Sequence, residues 1–190
     1  MPGTTDLILI RHAPARSGGR LAGRLDVPAD LPGPEVLARA RALVGRVAKL
    51  VVSPALRCRM TAAALFPGLA AMQDERLWEQ HFGEWEGMEA AKVPDLGPLT
   101  RMDLARHRPP GGESFHDICA RIAPALSEAA TLKGPVAIVA HAGTVRAALA
   151  LATGSIPAAL AFEVAPLSAT LIRALPGGQW SIQNVNRALK

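Results

Sequence analysis

Tyrosine is absent from this chain of 190 residues, aromatic side chains make up only 4% of it, and there are just two cysteines. Each scarcity removes a class of explanation. Cys58 and Cys119 stand apart, without a CxxC, in stretches of helical spacing, so buried reduced thiols are expected in place of a disulfide framework or a thiolate metal site. No HExxH or comparable His/Asp/Glu cluster has metal-ligand spacing, which argues against a metal hydrolase; no metal and no cofactor is expected. No apolar run approaches the ~18 residues of a membrane span, and no basic segment followed by a long hydrophobic one opens the chain. Neither membrane insertion nor export is indicated, and the expected location is cytoplasmic.

Lysine is scarce too. The 21 basic residues are mostly arginine, scattered as singles and pairs, and they give a net charge of +5. Without a long basic run, tyrosine or a recognisable DNA- or RNA-binding motif, nucleic acid is not the expected partner. The forked guanidinium suits phosphate oxygens, so a small anionic ligand is. With 49% hydrophobic residues and no internal repeat or low-complexity linker, residues 1–190 read as a single globular domain.

Leu7-Ile8-Leu9-Ile10 is what the chain does contain in concentrated form, and it reads as a strand buried on both faces, as in a parallel sheet. It stops at Arg11-His12. In open α/β sheets ligands collect beyond the carboxyl ends of the strands, where this pair stands. A loop without periodicity follows from Ala13 to Gly33, unusually long for a compact domain unless it is functional. Apolar spacing then predicts a helix over Glu35–Val47, and Lys49–Val52 a second short strand. Ser53 is expected to cap the next helix, with Pro54 in its first turn and Leu56, Met60, Ala63 and Ala64 as its apolar face. Arg57 lies in that first turn, where a cation opposes the helix dipole and a bound anion would relieve the conflict.

Residues 73–90 form the most aromatic and acidic stretch, an irregular connection in which Trp78, Phe82 and Trp85 are pocket walls or loop anchors. Glu79, Glu84 and Glu86 are its candidates for acid–base work. A weakly helical, basic segment from Val93 to Arg108 leads to a sharp turn at Pro109–Ser114. Ser114 with Asp117 forms a capping-box start for a long amphipathic helix interrupted by Pro124. Val136–Ala140 is the third buried strand, ending at His141, and a helix runs from about Gly143 to Thr153 with Gly154 as its stop. Shorter strands are expected near Ala161–Val164, Thr170–Ala174 and Trp180–Val185, completing a mixed sheet. The apolar stretch Ala159–Leu171 is expected at a sheet edge, where a second copy would pair to form a homodimer.

His12 and His141 thus end two strands, with Arg11 beside one and Arg57 starting the helix after a third. In a parallel sheet these ends open on one side, and a dianion is the object that suits them. The motifs are also family motifs. Arg11-His12 resembles the Arg-His-Gly signature of the histidine phosphatases, the phosphoglycerate mutase-like superfamily. Ser53-Pro54-Ala55-Leu56-Arg57-Cys58-Arg59-Met60-Thr61-Ala62 resembles its Ser-Pro-x-x-Arg-x-x-x-Thr-Ala helix. Glu79-Gln80-His81-Phe82-Gly83-Glu84-Trp85-Glu86-Gly87 is similar to its acidic loop, Pro110–Ser114 to its Pro-Gly-Gly-Glu-Ser turn, and Val139–Arg146 to its second-histidine motif.

The resemblance implies a three-layer αβα fold with a mostly parallel central sheet, and a phosphohistidine mechanism without metal. On it, neutral His12 would attack phosphorus. Arg11, Arg57 and His141 would hold the nonbridging oxygens. Glu79 would protonate the leaving alcohol and then activate water, a role that needs a raised pKa. His81 and Glu84 are secondary acid–base candidates. Arg16, Ser17, Ala142, Trp78 and Phe82 are the implied substrate contacts. Ala13 stands where the pattern has glycine, so a positive φ there would bring strain. The segment between Glu79 and Gly112 is short for a lid that keeps water from a phosphoenzyme, which favours a hydrolase acting on a small phosphorylated metabolite. Chains of this size resemble α-ribazole phosphatases, and Trp78, Trp85 and Phe115 would stack on a flat base. The alternatives are a phosphoglycerate mutase-type phosphotransferase and a family member that binds a phosphorylated ligand without turning it over.

Overall fold

A computed structural model describes residues 3–190. Its centre is a six-stranded sheet of order β3-β2-β4-β1-β5-β6. The first four strands in space, β3 (Ala71–Gln73), β2 (Lys49–Val52), β4 (Val136–Ala140) and β1 (Thr5–Arg11), run parallel. β5 (Ser168–Leu175) and β6 (Gln179–Ala188) are antiparallel additions on the β1 side. β1 and β4 are apolar throughout their centres because helices cover both faces, as parallel pairing requires.

The period of two along each strand divides the core. Leu7, Leu9, Val51 and Ile138 point to the layer built from α4 (Phe115–Ala129), α5 (Ala142–Thr153) and the short α6 (Ile156–Ala159). Ile8, Ile10, Leu50, Val52 and Val139 point to the opposite layer, with Ala40 and Leu37 of α1 (Pro34–Val44) and Cys58, Ala62 and Leu65 of α2 (Leu56–Leu65). Removing one of these side chains, Leu9 or Ile10 for example, is expected to cost about 2–5 kcal/mol. Three-layer αβα packing with a mostly parallel sheet is therefore the architecture. Cys58 and Cys119 are both buried and unpaired. Among the described residues no helix is long and apolar enough to cross a membrane.

Several elements differ from expectation. α1 stops at Val44, not Val47, because Gly45 takes φ 76°. The buried face of α2 consists of Arg57, Cys58, Thr61, Ala62 and Leu65, one position away from the expected Leu56/Met60/Ala63/Ala64 face, and Ser53 makes no side-chain cap for it. α4 ends at Ala129, five residues before Gly134-Pro135, where its sequence pattern predicts the stop. The weakly helical segment contributes only α3 (Arg101–Arg106), capped by Thr100.

The three-residue edge strand β3 is fully exposed, so burial left no pattern to read. No strand forms at Ala161–Val164; Ser155 instead caps α6 and the chain passes through a turn into coil. Ala159–Leu171 is consequently not a sheet edge. β5 lies between β1 and β6, so the free edges are β3 and β6.

Candidate active site

β1, β4 and β2 end side by side, and the chain leaves them at Arg11-His12, His141 and Ser53. The register pairs Arg11 with Ala140 and Val52 with Val139, so these exits share one level. Above them lies a cavity of about 470 Å³. Arg11, His12, Arg57, Glu79, Ala142 and Gly143 are among the residues lining its floor and walls.

His12 is 5% exposed. Its Nδ1 lies 2.6 Å from the carbonyl oxygen of Ala13, so that nitrogen carries the proton and donates it. Nε2 then has a free lone pair, which accepts from Arg57 Nε at 3.3 Å. Burial pushes the pKa of His12 down to about 3, against the opposing effect of the Ala13 carbonyl and with added lowering from Arg57 and Arg11. The ring is neutral at physiological pH.

His141, fully buried, stands edge-on to His12 with ring centroids 5.1 Å apart. Arg57 Nη2 donates to its Nδ1 at 3.3 Å, which makes Nε2 the protonated nitrogen, donating to Ser53 Oγ at 2.8 Å. The hydroxyl expected to cap α2 thus anchors this ring. Burial, followed by the proximity of the His12 ring and the charges of Arg57 and Arg11, holds the pKa of His141 well below the usual imidazole value.

Arg57 is 1% exposed although it carries a charge. Carbonyls of the long loop satisfy it: Nη2 donates to Gly23 at 2.7 Å and Nη1 to Leu25 at 2.8 Å. One turn on, Thr61 Oγ1 donates to the Arg57 carbonyl at 2.7 Å and accepts the Ala13 N–H at 3.0 Å. Leu167 and Asn186 are the non-glycine residues with positive φ among the described residues, so Ala13 carries no such strain. Arg11 donates through Nη1 to the Val164 carbonyl at 2.5 Å, while its buried Nε has no partner among the described residues. A buried guanidinium N–H without an acceptor is costly, and an oxyanion in the cavity would satisfy it.

Glu79 faces these cations from the irregular loop. Burial raises its pKa, against the lowering effects of the Gln80 N–H, Arg57, Arg11 and the Gly143 N–H. A Cβ at position 143 would overlap Glu79 Oε1, so only glycine leaves room for this carboxyl at the start of α5.

Of the other expected contacts, Ser17, Phe82 and Ala142 line the cavity, and so do Trp85 and Phe115. Trp78 and Arg16 do not. Trp78 packs behind the site on the α1/α2 layer and donates through Nε1 to Glu75 Oε2 at 2.9 Å. Arg16 is exposed and donates to Asp30 Oδ1 at 2.9 Å within its own loop. His81, Glu84 and Glu86 are likewise not on the cavity wall. Trp85 is stacked on His107, with centroids 5.4 Å apart.

Sequence reading passed over Ser53, Thr61 and Gly143 as site residues, and over Arg20, His107 and Arg146 on the outer wall. Ser53, Thr61, Gly143 and Arg146 all stand inside the quoted motifs, which is the signal the sequence offers for them; Arg20 and His107 stand outside them. Among the described residues no group of three or more His, Cys, Asp or Glu is placed to hold a metal ion.

The family model for the histidine phosphatase superfamily (branch 1) matches residues 7–188. A glucosyl-3-phosphoglycerate phosphatase of Mycolicibacterium vanbaalenii is 35% identical over 166 residues, covering 78% of this chain and 74% of that protein. The native structure of a mycobacterial glucosyl-3-phosphoglycerate phosphatase superposes with a TM-score of 0.82 at 28% identity, over 97% of this chain and 100% of that one. A putative α-ribazole-5′-phosphate phosphatase from Escherichia coli shares the fold, with a TM-score of 0.80 at 18% identity over 97% and 98% of the two chains.

Proposed function

The chain belongs to the histidine phosphatase superfamily, branch 1, with the phosphoglycerate mutase-like α/β fold, and is a phosphatase; from that premise we propose that it hydrolyses a small phosphorylated metabolite through a phosphohistidine on His12. The observation that carries this reading is the tautomer of His12. With Nδ1–H committed to the Ala13 carbonyl, Nε2 is the nucleophile, and burial keeps it unprotonated.

In the first step Nε2 attacks phosphorus, the P–O ester bond breaks, and the carboxylic acid of Glu79 gives its proton to the departing alkoxide. Arg11 and Arg57 hold the nonbridging oxygens, the unpartnered Arg11 Nε being one ready donor; His141, which does not line the cavity and whose two ring nitrogens are taken by Arg57 and Ser53, orients Arg57. Because Arg57 is already fixed by two carbonyls, it reorganises little as charge develops. In the second step water attacks phosphorus, the P–N bond breaks, and the Glu79 carboxylate takes the proton from water. Inorganic phosphate leaves and both groups return to their starting protonation.

For the substrate we favour a phosphate monoester of a glycosylated glycerate, of the kind named for the mycobacterial relatives. Arg146, which lines the cavity, suits a further anionic group, while the displacement of Trp78 removes one of the three aromatic faces expected for a base. Phosphate release in excess chelator, measured on glucosyl-3-phosphoglycerate, 3-phosphoglycerate and α-ribazole phosphate, tests both levels. Release by the wild type and none by His12→Ala is the expected result. Retention of activity in His12→Ala, or its loss on chelation, overturns the mechanism; preference for α-ribazole phosphate overturns the substrate assignment alone.

A further inference from the structure

Arg24 lies outside the cavity on the exposed crest of the 13–33 loop, between the two carbonyls that hold Arg57. It is tied in the other direction. Its backbone N–H donates to Glu86 Oε1 at 2.9 Å and its guanidinium to Glu113 Oε1 at 3.0 Å. Both carboxylates reach the segment that carries Glu79. The same Glu86 oxygen accepts the Phe82 N–H at 3.0 Å, and Glu113 Oε2 accepts the His81 N–H at 3.0 Å. Gln80 Nε2 donates to the Glu113 carbonyl at 2.6 Å.

Arg121 of α4 closes the network. It donates to both Glu113 oxygens at 3.0 and 2.8 Å, and to the carbonyls of Arg76 and Trp78 at 2.6 and 3.0 Å. Contact is close elsewhere along the same seam: a Cβ on Gly23 would run into the Glu86 carboxylate.

Arg57 must stand over His12 and Glu79 opposite both, yet different stretches of chain deliver them. We infer that Arg24 is a positioning residue that, through Glu113 and beside its backbone bond to Glu86, locks the loop gripping Arg57 to the segment bearing Glu79. This inference rests on the reading of Glu79 as the proton donor. The side chains of Arg24 and Glu113 are 38% and 20% exposed, so the pair adds little to global stability. Placement of a catalytic group is far more sensitive, since an error of about 1 Å can cost on the order of 100-fold in rate. Removing the Arg24 side chain leaves Glu113 paired with Arg121 and the backbone bonds of Leu21 and Arg24 to the 86–88 stretch in place, so the loss is confined to the side-chain tie to Glu113.

Values of kcat/KM on aryl phosphates spanning 4-nitrophenyl to phenyl phosphate test this in Arg24→Ala, Arg24→Lys and Glu79→Gln. A good leaving group needs no proton, and a poor one does. In Arg24→Ala, kcat/KM, which reports the step in which the leaving group departs, is expected to fall about threefold on 4-nitrophenyl phosphate and about tenfold or more on phenyl phosphate. Arg24→Lys should recover part of that loss, and the melting temperature should move by no more than about 3 °C. An equal fall across the series in Arg24→Ala, or none, while Glu79→Gln shows a steep dependence, overturns the inference alone. A flat series in Glu79→Gln overturns the assignment of Glu79, and the inference with it.

Discussion

The corners at the ends of β1 and β4 are built alike and held differently. Each is an apolar parallel strand ending in a histidine that the other ring faces, and in each one ring nitrogen is fixed while Arg57 addresses the other. At the β1 corner the fixed nitrogen donates to a backbone carbonyl, that of Ala13. At the β4 corner it donates to a side chain, the Ser53 hydroxyl. Two imidazoles of similar burial are thereby given different roles, because the partner of the second nitrogen decides which lone pair is available. The anchor of the nucleophile is one that no substitution at that position removes.

Substitution of the two rings probes the contrast most directly. His12→Ala should lose about 10,000-fold in kcat and form no acid-labile phosphoenzyme, whereas His141→Ala should lose about 100- to 1,000-fold and still form one. Rapid-quench trapping of labelled enzyme separates them, and equal losses would erase the distinction.

Gly143→Ala comes next. The added Cβ displaces the Glu79 carboxyl, so kcat should fall by about 10- to 100-fold, with little change in melting temperature because the obstructing atom ends a flexible side chain. Activity needs His12 neutral and Glu79 protonated. The raised pKa of Glu79 therefore places the fall in kcat/KM on the alkaline side, and that limb should shift in Gly143→Ala.

Ser53→Ala removes the hydroxyl that anchors His141 and leaves the Cys58 thiol 3.5 Å from the same nitrogen. A loss of about 1 kcal/mol of orientation, or roughly fivefold in kcat, is expected, with KM for the phosphate ester nearly unchanged.

The last effect is on stability. His12 has its folded pKa lowered to about 3 from 6.5, and burial lowers His141 as well. Between those values the unfolded chain binds a proton that folded His12 refuses, so the stability conferred by the neutral ring is complete above pH 6.5 and lost as pH falls towards 3. Glu79 has the opposite sign, its contribution being lost as pH rises through its raised folded pKa. Melting temperatures between pH 7 and 4 should fall less steeply for His12→Ala than for the wild type.

Both corners were legible in the sequence because a buried parallel strand writes an unbroken apolar run and its end is abrupt. Lys49–Val52 and Val136–Ala140 match the structure residue for residue, and Ser114 and Asp117 do form the expected capping box. What was misread lies where the site overrides hydrophobic patterning. The buried face of α2 contains Arg57 and Thr61, so an apolar face placed by periodicity falls one position off. Ser53 looked like a cap and serves His141 instead. The segment after α6 carries apolar residues in a strand-like run, yet its carbonyls at Phe162 and Val164 receive Arg146 and Arg11. Trp78 and Arg16 were misplaced for a simpler reason: a partner close by in sequence, Glu75 or Asp30, holds each away from the cavity.

The sheet order also sets a timetable for biosynthesis. β1 leaves the ribosome first, but both of its neighbours, β4 and β5, come from the last third of the chain. At about 5–20 residues per second, its apolar backbone waits on the order of 6–25 s for β4 alone. During that interval Leu7–Ile10 is an unpaired, uncharged strand, the kind of segment that chaperones shield and that aggregates when they do not. A nascent chain arrested before residue 136 therefore holds His12 and Arg57 but no site. Catalytic competence arrives late, when the strand carrying the second histidine slides between the two already made.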